Sequence, residues 1–352
     1  MVPKILTEGR ALPIVLFPAI TTAAIIVLGR CFVQSGMEQK LLSVCDASVD
    51  AESSPYRLAY TGVSDLDHNL CLLVGFFHGL MDPSYRPLVA EIMPSIAAAI
   101  AVLYAEAARE THPSLLHMPV VVGIIFQCFT FAVVMPVYWL VFVLTGSATR
   151  HASSNSGSTK INQANAEALL FALLVGFVIP TVGMFVLEDP TVTVIWQGFP
   201  FWMELAQFAH RLIRPPTRFI ESGYRTIQAT YSFVFLASAA LHITYVWPIV
   251  NNHPLLKLLF VPSLLTLDPG TPLKESIAHF IKWDMIFGAG SSILATFWFA
   301  ENVKELTILL LSHICVTAVF GPGAAIAGAF MWREAKLNTQ VHGVEQVKEK
   351  EQ

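Results

Sequence analysis

Charged residues are scarce in this chain of 352 residues, in which Asp, Glu, Lys and Arg together make up 13%. A typical soluble domain carries about 25% charged residues. Hydrophobic residues make up 55% of the chain, the mean hydropathy is +0.60, and the few charges lie in short clusters between long apolar runs. Because a helix needs about 20 mostly apolar residues to cross a bilayer, this arrangement indicates an integral membrane protein.

The apolar runs also lack any alternation with a period of two. A segment in lipid must pair all its backbone polar groups, so it forms a helix or part of a closed barrel, and continuous runs favour helices. We therefore predict an all-α, polytopic membrane helix bundle with about eight or nine transmembrane helices. We expect one transmembrane domain over residues 1–332 and a charged, disordered tail over residues 333–352.

The first run, Ala11–Val33, is longer than a signal-peptide core of about 7–15 residues, so we expect a retained span. The other predicted spans are Leu66–Met81, Pro87–Ala108, Met118–Leu144, Ala164–Leu187, Thr191–Phe208, Gln228–Val250, Ile277–Phe299 and Leu306–Trp332. The run Leu255–Leu267 is shorter and is expected to be re-entrant or interfacial.

Arginines follow the predicted span Thr191–Phe208, at positions Arg211, Arg214, Arg218 and Arg225. An excess of positive charge favours the cytosolic side of a membrane, so we expect this loop to be cytosolic. If all nine predicted segments cross the bilayer, the N-terminus lies in the cytosol and the tail lies on the opposite side. The alternative is that one short segment does not cross. Binding of an anionic head group is the other interpretation of the arginines.

Several functional motifs are missing. There is no basic stripe interleaved with aromatics, which argues against nucleic-acid binding. Neither a P-loop nor an HExxH zinc motif occurs. No span carries a DDxxD cluster, which enzymes that ionise a prenyl diphosphate need to hold magnesium. We therefore predict chemistry that needs no metal and no cofactor, and we find no sign of an obligate protein partner.

The five cysteines give no redox or zinc signature, because none has CxxC spacing. Most of them lie in apolar segments, where cysteine usually behaves as a small hydrophobic residue.

Ionisable residues within a span are costly and point to function, and Asp284 is the leading candidate. Helical spacing places Phe280, Asp284, Phe287 and Ser291 on one stripe. A carboxyl group desolvated among aromatic rings can stay protonated and act as a general acid. Aromatic faces can also stabilise a cation. The alternative is a structural bridge from Asp284 to Lys282, His279 or a neighbouring helix.

Glu91 is the second candidate, with Pro94 just after it. A proline can open the local backbone, which a buried site can use. The alternative is a carboxylate near the interface that faces water.

Further polar residues are candidates for substrate binding. His78 shares a face with Asp82 and either lines a cavity or belongs to an interfacial pair with Tyr85 or Arg86. Glu204 either contributes to the site or forms an ion pair with Arg211. His242 and Tyr245, three residues apart, either orient a substrate oxygen or form part of the helix core.

The number of spans and the tract Trp283-Asp284-Met285-Ile286-Phe287-Gly288 resemble the fungal membrane-bound terpene cyclases of meroterpenoid biosynthesis, of the ascofuranone and ascochlorin type. The resemblance implies acid-initiated cyclisation of a farnesylated aromatic or polyketide substrate, which often carries a terminal epoxide. It also implies catalytic roles for Asp284 and Glu91, a lining that includes Phe280, Trp283 and Phe287, and a multi-pass location in the endoplasmic reticulum membrane. The chain is about a hundred residues longer than the shorter branch of these cyclases, whose intramembrane glutamate and aspartate pair is the source of the roles given to Glu91 and Asp284.

Three other functions fit the residues. A transporter also places carboxylates within spans, although it usually shows inverted repeats, and we find no internal repeat. A sterol-type lipid isomerase would use buried acids to move a double bond. A structural scaffold would keep its polar residues mainly at helix ends.

Overall fold

The structure is a computed structural model that describes residues 11–46, 54–109, 116, 118–149, 160–217 and 221–351, without side chains beyond residue 339. The described residues form helices and no β-strand apart from isolated bridges, so the predicted all-α class is confirmed. In chain order the helices are α1 (Ala11–Val33), α2 (Met37–Val44), α3 (Ser64–Gly79), α4 (Arg86–Ala107), α5 (Pro119–Phe129), α6 (Phe131–Leu144), α7 (Gln163–Ala172), α8 (Ile179–Leu187), α9 (Pro190–Gln197), α10 (Phe199–Ile213), α11 (Tyr224–Tyr245), α12 (His253–Phe260), α13 (Leu273–Thr296), α14 (Val303–Phe320) and α15 (Pro322–Glu351).

Helix α4 is the centre of the bundle. Nearly all its residues are buried, and it packs against α11, α13 and α15. Its sequence explains this position, because the run from Ala97 to Ala101 gives a narrow helix that neighbours can approach closely. A helix that is apolar on all sides is expected to be buried in this way.

Five helical segments are long and apolar enough to cross a membrane: Ala11–Val33, Pro83–Ala107, Gln163–Leu187, Tyr224–Ile249 and Val303–Phe320. The predicted number of eight or nine spans stays a prediction. The predicted span Met118–Leu144 forms two helices, α5 and α6, which are separated at Thr130, where φ is 77°. Each of the two is shorter than the roughly 30 Å core of a bilayer.

Two contacts along α1 and α13 show how the ends of the bundle are arranged. Phe17, near the start of α1, lies 5.6 Å from Trp298, just after α13, measured between ring centroids. At the other end of α1, Cys31 Sγ is 3.5 Å from His279 Nδ1, near the start of α13. The two helices therefore run antiparallel. Phe299 also meets Phe330 of α15 at 5.1 Å, so α15 reaches the end where α1 begins.

A disulfide joins Cys45, just after α2, to Cys71 in α3. We call this the disulfide end of the bundle, since α2 directly follows the Cys31 end of α1. From the sequence we expected most cysteines to pack as small hydrophobic residues. The pairing was not predicted, because 26 residues separate the two positions.

Four charged side chains form a buried cluster at the opposite end, which we call the ion cluster: Glu106, Arg109, Arg333 and Glu334, none more than 6% exposed. Arg333 Nη1 lies 2.7 Å from Glu106 Oε1, and Arg109 Nε lies 2.9 Å from the same oxygen. Arg109 also pairs with Glu334. The Arg333 guanidinium carbon lies 5.2 Å from the ring centroids of both Phe142 and Phe299.

The ion cluster bears on two expectations about the C-terminus. Residue 333, where the tail is predicted to begin, lies within α15, and Arg333 and Glu334 form ion pairs inside the bundle. The division into one domain and a tail stays a prediction. Arg333 lies at the end where α1 begins. This position fits the alternative in which one short predicted segment does not cross the bilayer, and the number of crossings stays a prediction.

Candidate active site

Glu91 and His242 form a buried pair between α4 and α11. Glu91 Oε1 lies 2.6 Å from His242 Nδ1, a hydrogen-bonding distance, and the two residues are 4% and 6% exposed. The alternative that placed Glu91 at an interface facing water is therefore wrong. His242 is held within the helix core by this contact, which leaves its predicted role toward a substrate open.

The turn between α14 and α15 closes over the Glu91 and His242 pair. Gly321 in this turn has φ 88°, a region that favours glycine, and a Cβ atom there would lie 2.6 Å from Glu91 Oε2. Ser238, one helical turn before His242, donates to the Phe320 carbonyl at 3.2 Å and accepts from the Ala324 N–H at 2.9 Å. These bonds fix the turn, and Gly321 allows it to approach the carboxyl group.

One oxygen of this carboxyl group is uncommitted. Glu91 Oε2 is buried and has no hydrogen-bond partner among the described residues. Buried polar atoms are usually satisfied, so an exception requires an explanation and often marks a functional group. A carboxyl held on one side by an imidazole and free on the other has the form of a proton-transfer group.

Asp284 lies in α13 and is 5% exposed. Its Oδ1 accepts a hydrogen bond from the Ala132 N–H at 2.7 Å, in the first turn of α6. The proposed partners on its own helix bond elsewhere: Lys282 Nζ donates to the Leu258 carbonyl at 2.9 Å, and His279 Nε2 lies 3.1 Å from the Ser263 carbonyl. Asp284 therefore contacts a neighbouring helix, which is one of the structural alternatives considered above and does not exclude a chemical role.

Glu91 and Asp284 lie on α4 and α13, which pack against each other. No hydrogen bond joins the two carboxyl groups within the described part of the chain, because each has a different partner. Their participation in one reaction stays a prediction.

The predicted aromatic residues lie along α13 on both sides of Asp284. Trp283 stacks on Phe287, with ring centroids 5.5 Å apart and planes 20° apart. Phe280 meets Phe76 of α3 edge to face at 5.6 Å. The roles of these rings toward a substrate stay predictions.

The other predicted substrate-binding residues lie in different environments. His78 Nε2 is 3.1 Å from Thr193 Oγ1, and its ring lies 4.8 Å from that of Tyr56. Tyr245 is partly buried at the end of α11. Glu204 is 3.6 Å from Arg211 in a half-exposed ion pair, which confirms the alternative that the sequence offered. None of these contacts involves Glu91 or Asp284.

Asp82, which shares a face with His78, forms an ion pair with Lys274 at 2.8 Å and not with Tyr85 or Arg86. This pair lies outside the spans, and the Lys274 side chain and the Ser84 hydroxyl hold the pKa of the Asp82 carboxyl well below its usual range. It tethers the segment after α3 to the start of α13.

Comparison with known proteins places these residues in a family context. Residues 12–337 match the family model described as the CtvD domain. The chain is 22% identical over 344 residues to the terpene cyclase ctvD of Aspergillus terreus, which is 88% of this chain and 95% of the relative. No solved structure matches the chain.

Two further relatives are much longer than this chain. It is 26% identical over 218 residues to the FAD-dependent monooxygenase atnA of Arthrinium sp, and 22% identical over 230 residues to the FAD-dependent monooxygenase verC1 of Penicillium polonicum. The matched segments are 58% and 59% of this chain, and they span only 27% of each monooxygenase.

Proposed function

Because the chain belongs to the CtvD-domain family, we propose that it is a membrane-embedded terpene cyclase that closes rings in a farnesylated aromatic or polyketide substrate. The match along nearly the whole length of a terpene cyclase supports a cyclase. The observation that carries the chemistry is the burial of two carboxyl groups, Asp284 and Glu91, on helices that pack together. Carboxyl groups buried inside a membrane helix bundle are functional candidates by default.

Asp284 initiates the reaction in this proposal. Its carboxylic proton passes to the oxygen of a terminal epoxide, the carbon–oxygen bond opens, and the carbocation that forms is captured by internal alkenes of the same chain. Each capture forms one carbon–carbon bond and moves the cation onward. The rings of Phe280, Trp283 and Phe287 lie on the same helix and would stabilise the cation through their faces.

Glu91 and His242 end the reaction. Loss of a proton from the last cation to this pair restores an alkene, so the product has the same mass as the substrate. Glu91 Oε2, which has no partner in the described residues, is the available acceptor atom, and His242 orients the carboxyl through the other oxygen. Because Asp284 and Glu91 have different hydrogen-bond partners, the first can act as the proton donor and the second as the proton acceptor.

An epoxide substrate is supported by the relatives called FAD-dependent monooxygenases. A monooxygenase adds one oxygen atom to its substrate, and epoxidation of a prenyl alkene is a reaction of that class. A region similar to this chain forms part of the same polypeptide as each protein named a monooxygenase, which fits oxygenation and cyclisation of one molecule.

Turnover of a farnesylated phenol epoxide by membranes containing the protein tests this function. We expect a cyclised isomer of unchanged mass, identified by mass spectrometry and NMR, and none from membranes without the protein. The epoxide with its internal alkenes saturated is the matched control, because it can be protonated but cannot form rings. Migration of a double bond without ring formation would instead indicate an isomerase, and failure to convert several such epoxides and alkenes would count against the cyclase.

The disulfide and the ion cluster support a proposed orientation in the membrane. Disulfides form in oxidising compartments, so the disulfide end lies in the lumen of the endoplasmic reticulum in this proposal. The start of α1 and Arg333 then lie on the cytosolic side, which agrees with the arginines that follow α10.

This orientation predicts where a glycosylation acceptor would be modified. An Asn-X-Ser acceptor inserted after Gly62, an exposed turn before α3, is expected to be glycosylated in microsomes. The same acceptor inserted after Pro216, beyond α10, is expected to remain unmodified. A shift in gel mobility reports the modification, and the reverse pattern would invert the assignment.

A further inference from the structure

An apolar cleft of about 330 Å³ lies at the disulfide end, between α1, α2 and α3. Its apolar lining comes from all three helices and consists of Phe32, Leu41, Leu42, Leu72, Leu73 and Phe76. Glu38 contributes the one charge of the lining. None of these residues has been given a role by the chemistry described above.

One wall of the cleft packs against the helix that carries Asp284. Phe76 forms part of its wall and meets the Phe280 ring edge to face at 5.6 Å. Phe280 precedes Asp284 by four residues, which is one helical turn on the same face of α13. An apolar molecule that lies in the cleft therefore contacts Phe76, whose ring packs against the α13 residue that lies one turn before Asp284.

The disulfide holds two walls of this cleft together. Leu72 and Leu73 follow Cys71 directly in α3, and Leu41 and Leu42 precede Cys45 by about one turn in α2. A covalent link at this point limits the separation of α2 and α3, and hence the width of the cleft. Leu73 is partly buried, so its side chain can change in size without disturbing the central core.

We propose that this cleft binds the isoprenoid chain of the substrate and that Leu73 limits the chain length that it accepts. The proposal rests on the proposed cyclase function. The chemistry of the lining supports it: a prenyl chain is narrow, branched and without polar atoms, and the walls are leucine and phenylalanine side chains. Ligand sites are typically apolar clefts with few polar groups, and Glu38 is the single charged group here.

Leu73→Trp tests the proposal through chain-length selectivity. The larger ring fills the cleft, so kcat/KM for the farnesyl phenol epoxide is expected to fall at least tenfold, while kcat/KM for the geranyl analogue changes by less than about twofold. Leu73→Ala widens the cleft and is expected to raise the relative kcat/KM of the geranylgeranyl analogue. Leu311→Trp, at a 55% exposed position in α14, is the matched control and should leave all ratios unchanged.

A binding measurement separates this proposal from the cyclase itself. A saturated farnesyl phenol with a photoreactive group at the end of its chain cannot be cyclised. On illumination we expect it to label peptides of α2 or α3 in the wild-type protein. Labelling of those peptides without any turnover would support the cleft and count against the cyclase. The cleft assignment would be overturned if both Leu73 variants kept the wild-type selectivity, or if the probe labelled other peptides. It would also be overturned if excess farnesyl phenol did not reduce the labelling, because a membrane acyl chain would then be the occupant of the cleft.

Discussion

Asp284→Asn is expected to lower the cyclisation rate by at least a hundredfold while the protein remains folded in the membrane. General acid catalysis typically contributes about 10²–10⁴-fold, and an asparagine side chain has no carboxylic proton to donate. Its amide oxygen can still accept the Ala132 N–H that Asp284 Oδ1 accepts in the wild-type protein. The measurement is the initial rate of product formation in microsomes, normalised to the amount of protein.

Glu275→Gln is the matched control, because it makes the equivalent change at an exposed position in the first turn of the same helix. It should keep wild-type activity. If Asp284→Asn also keeps wild-type activity, Asp284 serves only to hold the start of α6. If it loses activity together with folded protein, measured by size-exclusion chromatography in detergent, the role of Asp284 is structural.

Arg333→Ala is expected to lower the free energy of unfolding by about 3–5 kcal/mol, which is the usual cost of removing one partner from a buried ion pair. The substitution leaves Glu106 buried with one cation fewer and removes the guanidinium group from the rings of Phe142 and Phe299. It also leaves the Ser147 carbonyl without the Arg333 Nη2 donor at 2.6 Å. The thermal midpoint of the detergent-solubilised protein reports the change.

Arg211→Ala provides the comparison, because Arg211 is 38% exposed in its pair with Glu204. Exposed pairs contribute about 0–1 kcal/mol, so the thermal midpoint of this variant should stay close to that of the wild type. Equal losses for Arg211→Ala and Arg333→Ala would contradict a special role for the ion cluster.

The long apolar runs allowed the helices to be predicted, and the boundaries of α1 agree with the prediction at both ends. The break at Thr130 could not be predicted in this way. Thr130 stands between Phe129 and Phe131, and residues 124–135 contain no glycine or proline to signal a turn there. Its positive φ results from the packing of α5 and α6 within the bundle, which local sequence does not encode.

Single residues of the candidate site were identified from the sequence, but their partners were not. Glu91 and His242 were separate candidates, and 151 residues separate them. Helical spacing predicts which residues of one helix share a face, whereas this contact depends on how α4 packs against α11. The partner of Asp284 could not be predicted either. It is the backbone N–H of Ala132, which has no partner within its helix because it lies in the first turn of α6.

The ion cluster shows why charge alone did not reveal the partners of Arg333 and Glu334. Arg333 and Glu334 begin a polar stretch in the sequence, which is typical of a solvated tail. Their partners Glu106 and Arg109 lie more than two hundred residues away, at the end of an otherwise apolar run. A pair of opposite charges three residues apart at such an end is the local signal that could have indicated an internal network.

The bond between Cys45 and Cys71 also bears on how the protein should be produced. In the proposed orientation, a bacterial host that inserts the chain from a reducing cytoplasm exposes the α2–α3 region to the oxidising periplasm only if it keeps that orientation. A chain inserted the other way round would keep free thiols and unlinked α2 and α3 helices. A eukaryotic host with an endoplasmic reticulum supplies both the orientation and the oxidant, so yeast or insect-cell membranes are the appropriate source of material for further study.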